Sequence, residues 1–148
     1  MKKNTKKHSP PKTEFLSPER VSSDAVSGQN RRVSEAPFTS DFFNMLPNIT
    51  LILNKERQIV YCNKRILELL QVDNMDSFLG LRPGEAFRCV HSRETEGGCG
   101  TTKYCVNCGA ALAILSTQKD GKSAVKECRL TLESEEGKAS LDMRVWTS

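Results

Sequence analysis

No stretch of this chain approaches the roughly eighteen consecutive apolar residues that a membrane-crossing helix requires. The basic N-terminus, MetLysLysAsnThrLysLysHis, has no apolar segment behind it to make a secretion signal. A cytoplasmic protein without membrane attachment is the expectation. Also missing are a nucleophile, base and oxyanion set, a phosphate-cradling glycine motif and a kinase signature, so catalysis is not expected. Net charge is +4, yet residues 1–35 carry eight Lys or Arg against four Asp or Glu, while residues 36–148 carry fourteen of each. The excess belongs to the tail. No basic face remains for the rest of the chain to present to phosphates, which argues against specific nucleic-acid binding.

What is present fits one ordinary domain: 148 residues, 37% hydrophobic and 27% charged. Residues 1–36 are rich in Lys, Ser, Pro, Asn and Gln and poor in apolar side chains, so a disordered basic tail is predicted there. The domain is expected over 37–148. A short helix with Ser40 or Asp41 as N-cap should end at Pro47. Ile49, Leu51 and Leu53 then alternate onto one strand face, and a polar turn leads to a second strand, Ile59 to Cys62. Asn63 caps a helix in which Ile66, Leu67, Leu69 and Leu70 recur at three- and four-residue spacing. Near the end, a helix from Ala110 precedes two further strands, with Cys128, Leu130 and Leu132 on one face of the first and Ala139, Leu141, Met143 and Val145 on one face of the second. An antiparallel sheet with helices packed on it, the α+β class, follows from that order.

Between these halves lies a segment with neither period. Residues 80–109 hold six of the nine glycines and four of the six cysteines, Cys89, Cys99, Cys105 and Cys108. Thirty residues without secondary structure inside a small domain need an anchor. In a reducing compartment cysteines favour metal or redox chemistry over disulfides. The CysValAsnCys pair lets two sulfurs reach one metal from a tight turn, and two more cysteines in a glycine-rich loop complete a four-thiolate set. Structural zinc commonly uses two such knuckles, whereas five then two intervening residues come near the spacing of plant-type ferredoxins; an iron-sulfur cluster is favoured, with zinc as the alternative. Gly109 stands where c-type haem attachment needs a His. His91 is close enough in sequence to replace a thiolate, but an exposed loop histidine is its plainer reading. Cys62 and Cys128, on strands, read as small buried hydrophobes, and the pairs Glu94/Glu96 and Glu135/Glu136 as solvated loop carboxylates.

The stretch PheAsnMetLeuProAsnIleThrLeuIleLeuAsnLysGluArgGlnIleValTyrCysAsnLys resembles the opening of a PAS sensory domain, and the terminal hairpin resembles that fold's late strands. ArgProGlyGluAla from Arg82, followed by the cysteines, resembles a cysteine-bearing subgroup of bacterial PAS modules found beside histidine kinases and related output domains. The resemblance implies a sensor in signal transduction, responding to redox state, oxygen or metal supply. Its implied partner is a signalling protein or output domain such as a histidine kinase, with a homodimer as a further possibility. The cysteine loop replaces the segment that usually contacts a ligand, so no haem or flavin residue carries over. Four strands are found where the family has five, which implies a fragment or an open edge that pairs with another molecule. A zinc-stabilised interaction module and a small iron-sulfur electron carrier are the alternative functions.

Overall fold

The computed structural model describes residues 9–148. Its elements are α1 (Ser23–Ser34), α2 (Thr39–Met45), β1 (Leu51–Leu53), β2 (Ile59–Cys62), α3 (Lys64–Leu70), α4 (Pro83–Ala86), α5 (Gly109–Asp120), β3 (Ala124–Ser134) and β4 (Gly137–Thr147), with short 3-10 turns between. The class is α+β, as the sequence pattern predicts. The strands, however, form two separate antiparallel pairs, β1 with β2 and β3 with β4, instead of one sheet. Among the described residues no strand bridges the free edges of β1 and β4. Among the described residues, no helix is long and apolar enough to cross a membrane.

Ile59, Cys62, Ile66, Phe78, Phe87, Cys128 and Leu130 form the centre of the core. All four residues of β2 are buried, because β1 covers one edge and α1 lies against it. On the long hairpin one face is turned to the core, and the other is polar apart from the exposed Val125–Trp146 pair. Leu141 pairs with Leu130 and Met143 with Cys128, so both strands turn alternate side chains onto the core.

Asn63 illustrates how one polar residue sets local geometry. It is fully buried and precedes α3, but it makes no side-chain cap to that helix. Its Oδ1 accepts from the Thr50 N–H at 3.0 Å, and its Nδ2 donates to the carbonyls of Phe43 and Asn48. One side chain thereby ties the end of α2, the start of β1 and the exit of β2 together. Helix α2 begins at Thr39 after Phe38, whose φ of 62° is left-handed, and neither Ser40 nor Asp41 is its N-cap.

The predicted disordered tail does not hold over residues 9–36; residues 1–8 lie outside the described residues. Ser22 caps α1 through the Ala25 N–H, and Val26 is 2% exposed against β2. Before the helix, the N–H groups of Glu14 and Leu16 donate to the carbonyls of Thr101 and Gly100. Leu16 is buried there. Too few apolar residues occur to signal order from composition; the ordering comes from main-chain carbonyls that distant arginines collect.

Candidate metal centre

Arg82 is fully buried, and all five of its guanidinium N–H groups are used on main-chain oxygens. Nε donates to Glu56, Nη1 to Gly97 and Cys99, and Nη2 to Ser17 and Glu19. Burial, and after it the neighbouring Arg57 and Arg20, draw its pKa down to about 10, which leaves it charged at neutral pH. Hydrogen bonds to a charged donor contribute about 1.5–3 kcal/mol each. Five of them offset the several kcal/mol that burying one cation costs. Arg82 is thus an anchor of the cysteine loop that needs no metal, and it corrects the expectation that thiolates alone hold the segment.

The rest of ArgProGlyGluAla completes the anchor. Pro83 opens α4, where its missing N–H costs nothing, and Glu85 closes a capping box by accepting the Arg82 N–H at 2.9 Å. The other Glu85 oxygen accepts the Cys99 N–H at 3.0 Å and pairs with Arg20. Gly84 lies so close to the loop that a Cβ would stand 2.7 Å from the Cys99 Sγ. Only glycine permits that approach.

The four predicted cysteines share one cavity wall but do not converge on a single point. Cys89, Cys99, Cys105 and Cys108 line a cavity of about 1200 Å³ between β1, α5 and the inner face of the β3–β4 hairpin. Sequence reading implies no buried haem or flavin pocket; the fold leaves this cavity instead, with sulfur on its wall. Arg57, Arg82 and Lys103 line it, as do Arg129 and Arg144 at its exposed rim, where they pair with Asp142 and Glu127; no Asp or Glu lines it. Arg57 is 7% exposed, sits in a left-handed turn, and donates from Nη2 to Ser17 O at 2.7 Å. Its charge lies within electrostatic reach of Cys99 and Cys105.

The thiols differ in their ease of ionisation. Burial pushes Cys99 up to about 12 and raises Cys89 as well. Cys108 is the opposite case, drawn down to about 6 by the Cys128 thiol and then by the Ala111 and Ala110 N–H groups at the start of α5. Cys128 is correspondingly raised, first by its bond to Cys108 and then by burial. The two sulfurs are 3.7 Å apart. Cys128 therefore belongs to the sulfur group and is more than a packing residue. Its position four residues into a strand carries no local signal of that; only the pairing of α5 with β3 shows it.

His91 lines the cavity but stacks on Tyr104, with ring centroids 4.2 Å apart, and its Nδ1 meets Glu94 at 2.8 Å. Glu94 is thus a histidine partner and not merely solvated. Glu135 and Glu136 are exposed in the hairpin turn, as expected. Cys62 is buried on β2.

Among the described residues no three His, Cys, Asp or Glu side chains converge tightly enough to hold one metal ion. Tetrahedral zinc at Zn–S distances of about 2.3 Å draws its sulfurs to within about 3.8 Å of one another. Of the thiols here, the Cys108–Cys128 pair has that spacing. A polynuclear centre would hold its four thiolates farther apart than a single zinc ion does, and its net negative charge would face Arg57.

A family model described as a PAS domain matches residues 38–103. This segment is a PAS domain. The match takes in Cys89 and Cys99 and ends before Cys105, Cys108, α5 and the terminal hairpin. No curated protein and no solved structure matches the chain.

Proposed function

We propose that this PAS module is a sensor in signal transduction whose Cys89, Cys99, Cys105 and Cys108 hold an iron-sulfur cluster that reads redox state, oxygen or metal supply. The observation that carries the reading is that four cysteines from a non-periodic loop line one cavity, with Arg57 within electrostatic reach of two of them and no Asp or Glu on its wall. A bound cluster would supply a reversible change in charge and in loop restraint. The chain's own residues would convey it. The loop is joined to the N-terminal segment through Thr101 and Gly100, and to the end of β3 through the Cys89–Leu132 bridge and the Glu133 N–H to the Arg88 carbonyl. Loosening the loop would disturb both attachments, and with them the surfaces of α1 and the hairpin. A histidine kinase or comparable output domain, or a second copy of the chain, would meet those surfaces or the free edges of β1 and β4. No catalytic step is assigned to the module, and it acts in the cytoplasm.

Anaerobic purification, a visible spectrum, and iron, sulfide and zinc per chain test the reading. Brown protein with iron and sulfide, losing amide protection over residues 80–109 when the cluster is removed, is the expected result. Colourless protein with stoichiometric zinc would instead establish the interaction-module alternative. Fast reversible reduction without any change in protection would establish an electron carrier. Metal-free protein from both aerobic and anaerobic preparations would overturn all three.

A further inference from the structure

Cys128 is one of the two cysteines, with Cys62, that the four-thiolate reading leaves over, and its place beside Cys108 is built into the backbone. Gly109 opens α5 and rests directly on β3. A Cβ there would lie 1.9 Å from the Glu127 carbonyl oxygen and 3.2 Å from the Cys128 Cα. Cys108 precedes that glycine and Cys128 follows that glutamate, so this close main-chain approach has a cysteine on each side of it. The sulfurs stand 3.7 Å apart, with Cys128 4% exposed and Cys108 on the cavity wall. A disulfide needs about 2.05 Å, so closure must draw the two sulfurs together by about 1.6 Å. Cys105, the partner that the CysValAsnCys spacing offers Cys108, turns its Sγ to the Thr102 hydroxyl at 3.4 Å instead.

We propose that Cys108 and Cys128 are a disulfide-forming site, closed by a small-molecule disulfide when the cavity holds no metal. This rests on the four-thiolate reading only in that metal at Cys108 would block the reaction. The Cys108 thiolate attacks one sulfur of an oxidant such as oxidised glutathione, forming a mixed disulfide and expelling one small thiolate. The Cys128 thiolate then attacks the Cys108 sulfur and expels the second. The protein loses two electrons and two thiol protons, and the oxidant gains them as two thiols. The product fastens the start of α5 to β3 and removes one cysteine from the ligand set, so oxidation and metal binding exclude each other.

The test uses the full chain, stripped of metal by chelator without oxygen, treated with oxidised glutathione and mapped by mass spectrometry. The expected product has lost two free thiols and joins the tryptic peptide 104–119, at Cys108, to 127–129. Cys128→Ser and Cys128→Ala should retain a glutathione adduct on Cys108, and Cys62→Ser should behave as wild type. A Cys105–Cys108 link, or no link, would overturn the proposal. Metal analysis of the protein as isolated decides the four-thiolate reading separately. Where metal is present, an equal rate of linking in loaded and stripped protein would overturn the blocking.

Discussion

The cysteine loop and the terminal hairpin lie against one another and are stabilised by opposite means. In the hairpin, eleven residues of β3 face eleven of β4 in unbroken register. Its outward ion pairs, Arg129 with Asp142 and Arg144 with Glu127, are exposed. Many weak, repeated bonds share the load, so no single outward side chain is critical. The loop has no ladder. One buried guanidinium and one carboxylate, Arg82 and Glu85, gather main-chain groups from residues 17 to 99. Stability concentrated in so few atoms is specific but brittle, since losing the cation leaves several carbonyls without a donor.

The sharpest way to break that contrast is Arg82→Met. It should cost about 3–5 kcal/mol in urea unfolding, because five bonds to a buried charge vanish together. Amide protection near Gly100 and Thr101 should fall with it. A loss below about 1 kcal/mol would show that the loop has another anchor. Next in size is Gly109→Ala, where the new methyl meets main chain that cannot rotate away. About 1–3 kcal/mol of destabilisation is expected from such overpacking, again by denaturant titration, with the hairpin's own register kept.

A third experiment leaves the fold intact and compares the thiols. In metal-free protein Cys108, drawn down to about 6 by the Cys128 thiol, is expected to ionise before the other thiols. Its alkylation by iodoacetamide should therefore change little between neutral and mildly alkaline pH and fall off as the pH drops through about 6. Cys62, buried and pushed up to about 11, should stay unlabelled at pH 8. Peptide mapping against time would check both, and equal labelling would remove the distinction. The smallest effect belongs to Arg129→Ala on the hairpin face. Its pair with Asp142 raises the arginine and lowers the carboxyl, but both groups are solvent-exposed. Thermal unfolding should be unchanged within error, and a clear drop would mean that the hairpin too depends on single side chains.

How far the residues disclose their structure follows the same division. Ile59 to Cys62, the leucine-rich α3 and the alternating β4 are readable because their periodicity is local and matches the face each buries. The cysteine loop is readable as a non-periodic segment because its glycines and cysteines interrupt any hydrophobic repeat. The order of residues 9–36 is not, since Leu16 and Val26 are too few to announce a packed segment. Arg82 has the same obscurity. An arginine before Pro-Gly suggests solvent, and nothing nearby in the chain shows that carbonyls from Ser17 and Glu19 will surround it.

Local pattern was enough to establish the α+β class, the position of a PAS core and the presence of a sulfur-rich loop, because hydrophobic period, turn residues and cysteine spacing act over a few residues each. Folding in three dimensions settled three other matters: that the strands remain two separate pairs, that a buried arginine ties the N-terminal segment to the loop, and that Cys128 joins Cys108. The last two depend on groups twenty or more residues apart in sequence meeting at van der Waals or hydrogen-bond distance. Such meetings are fixed by how the elements pack, and short-range sequence pattern carries no record of them.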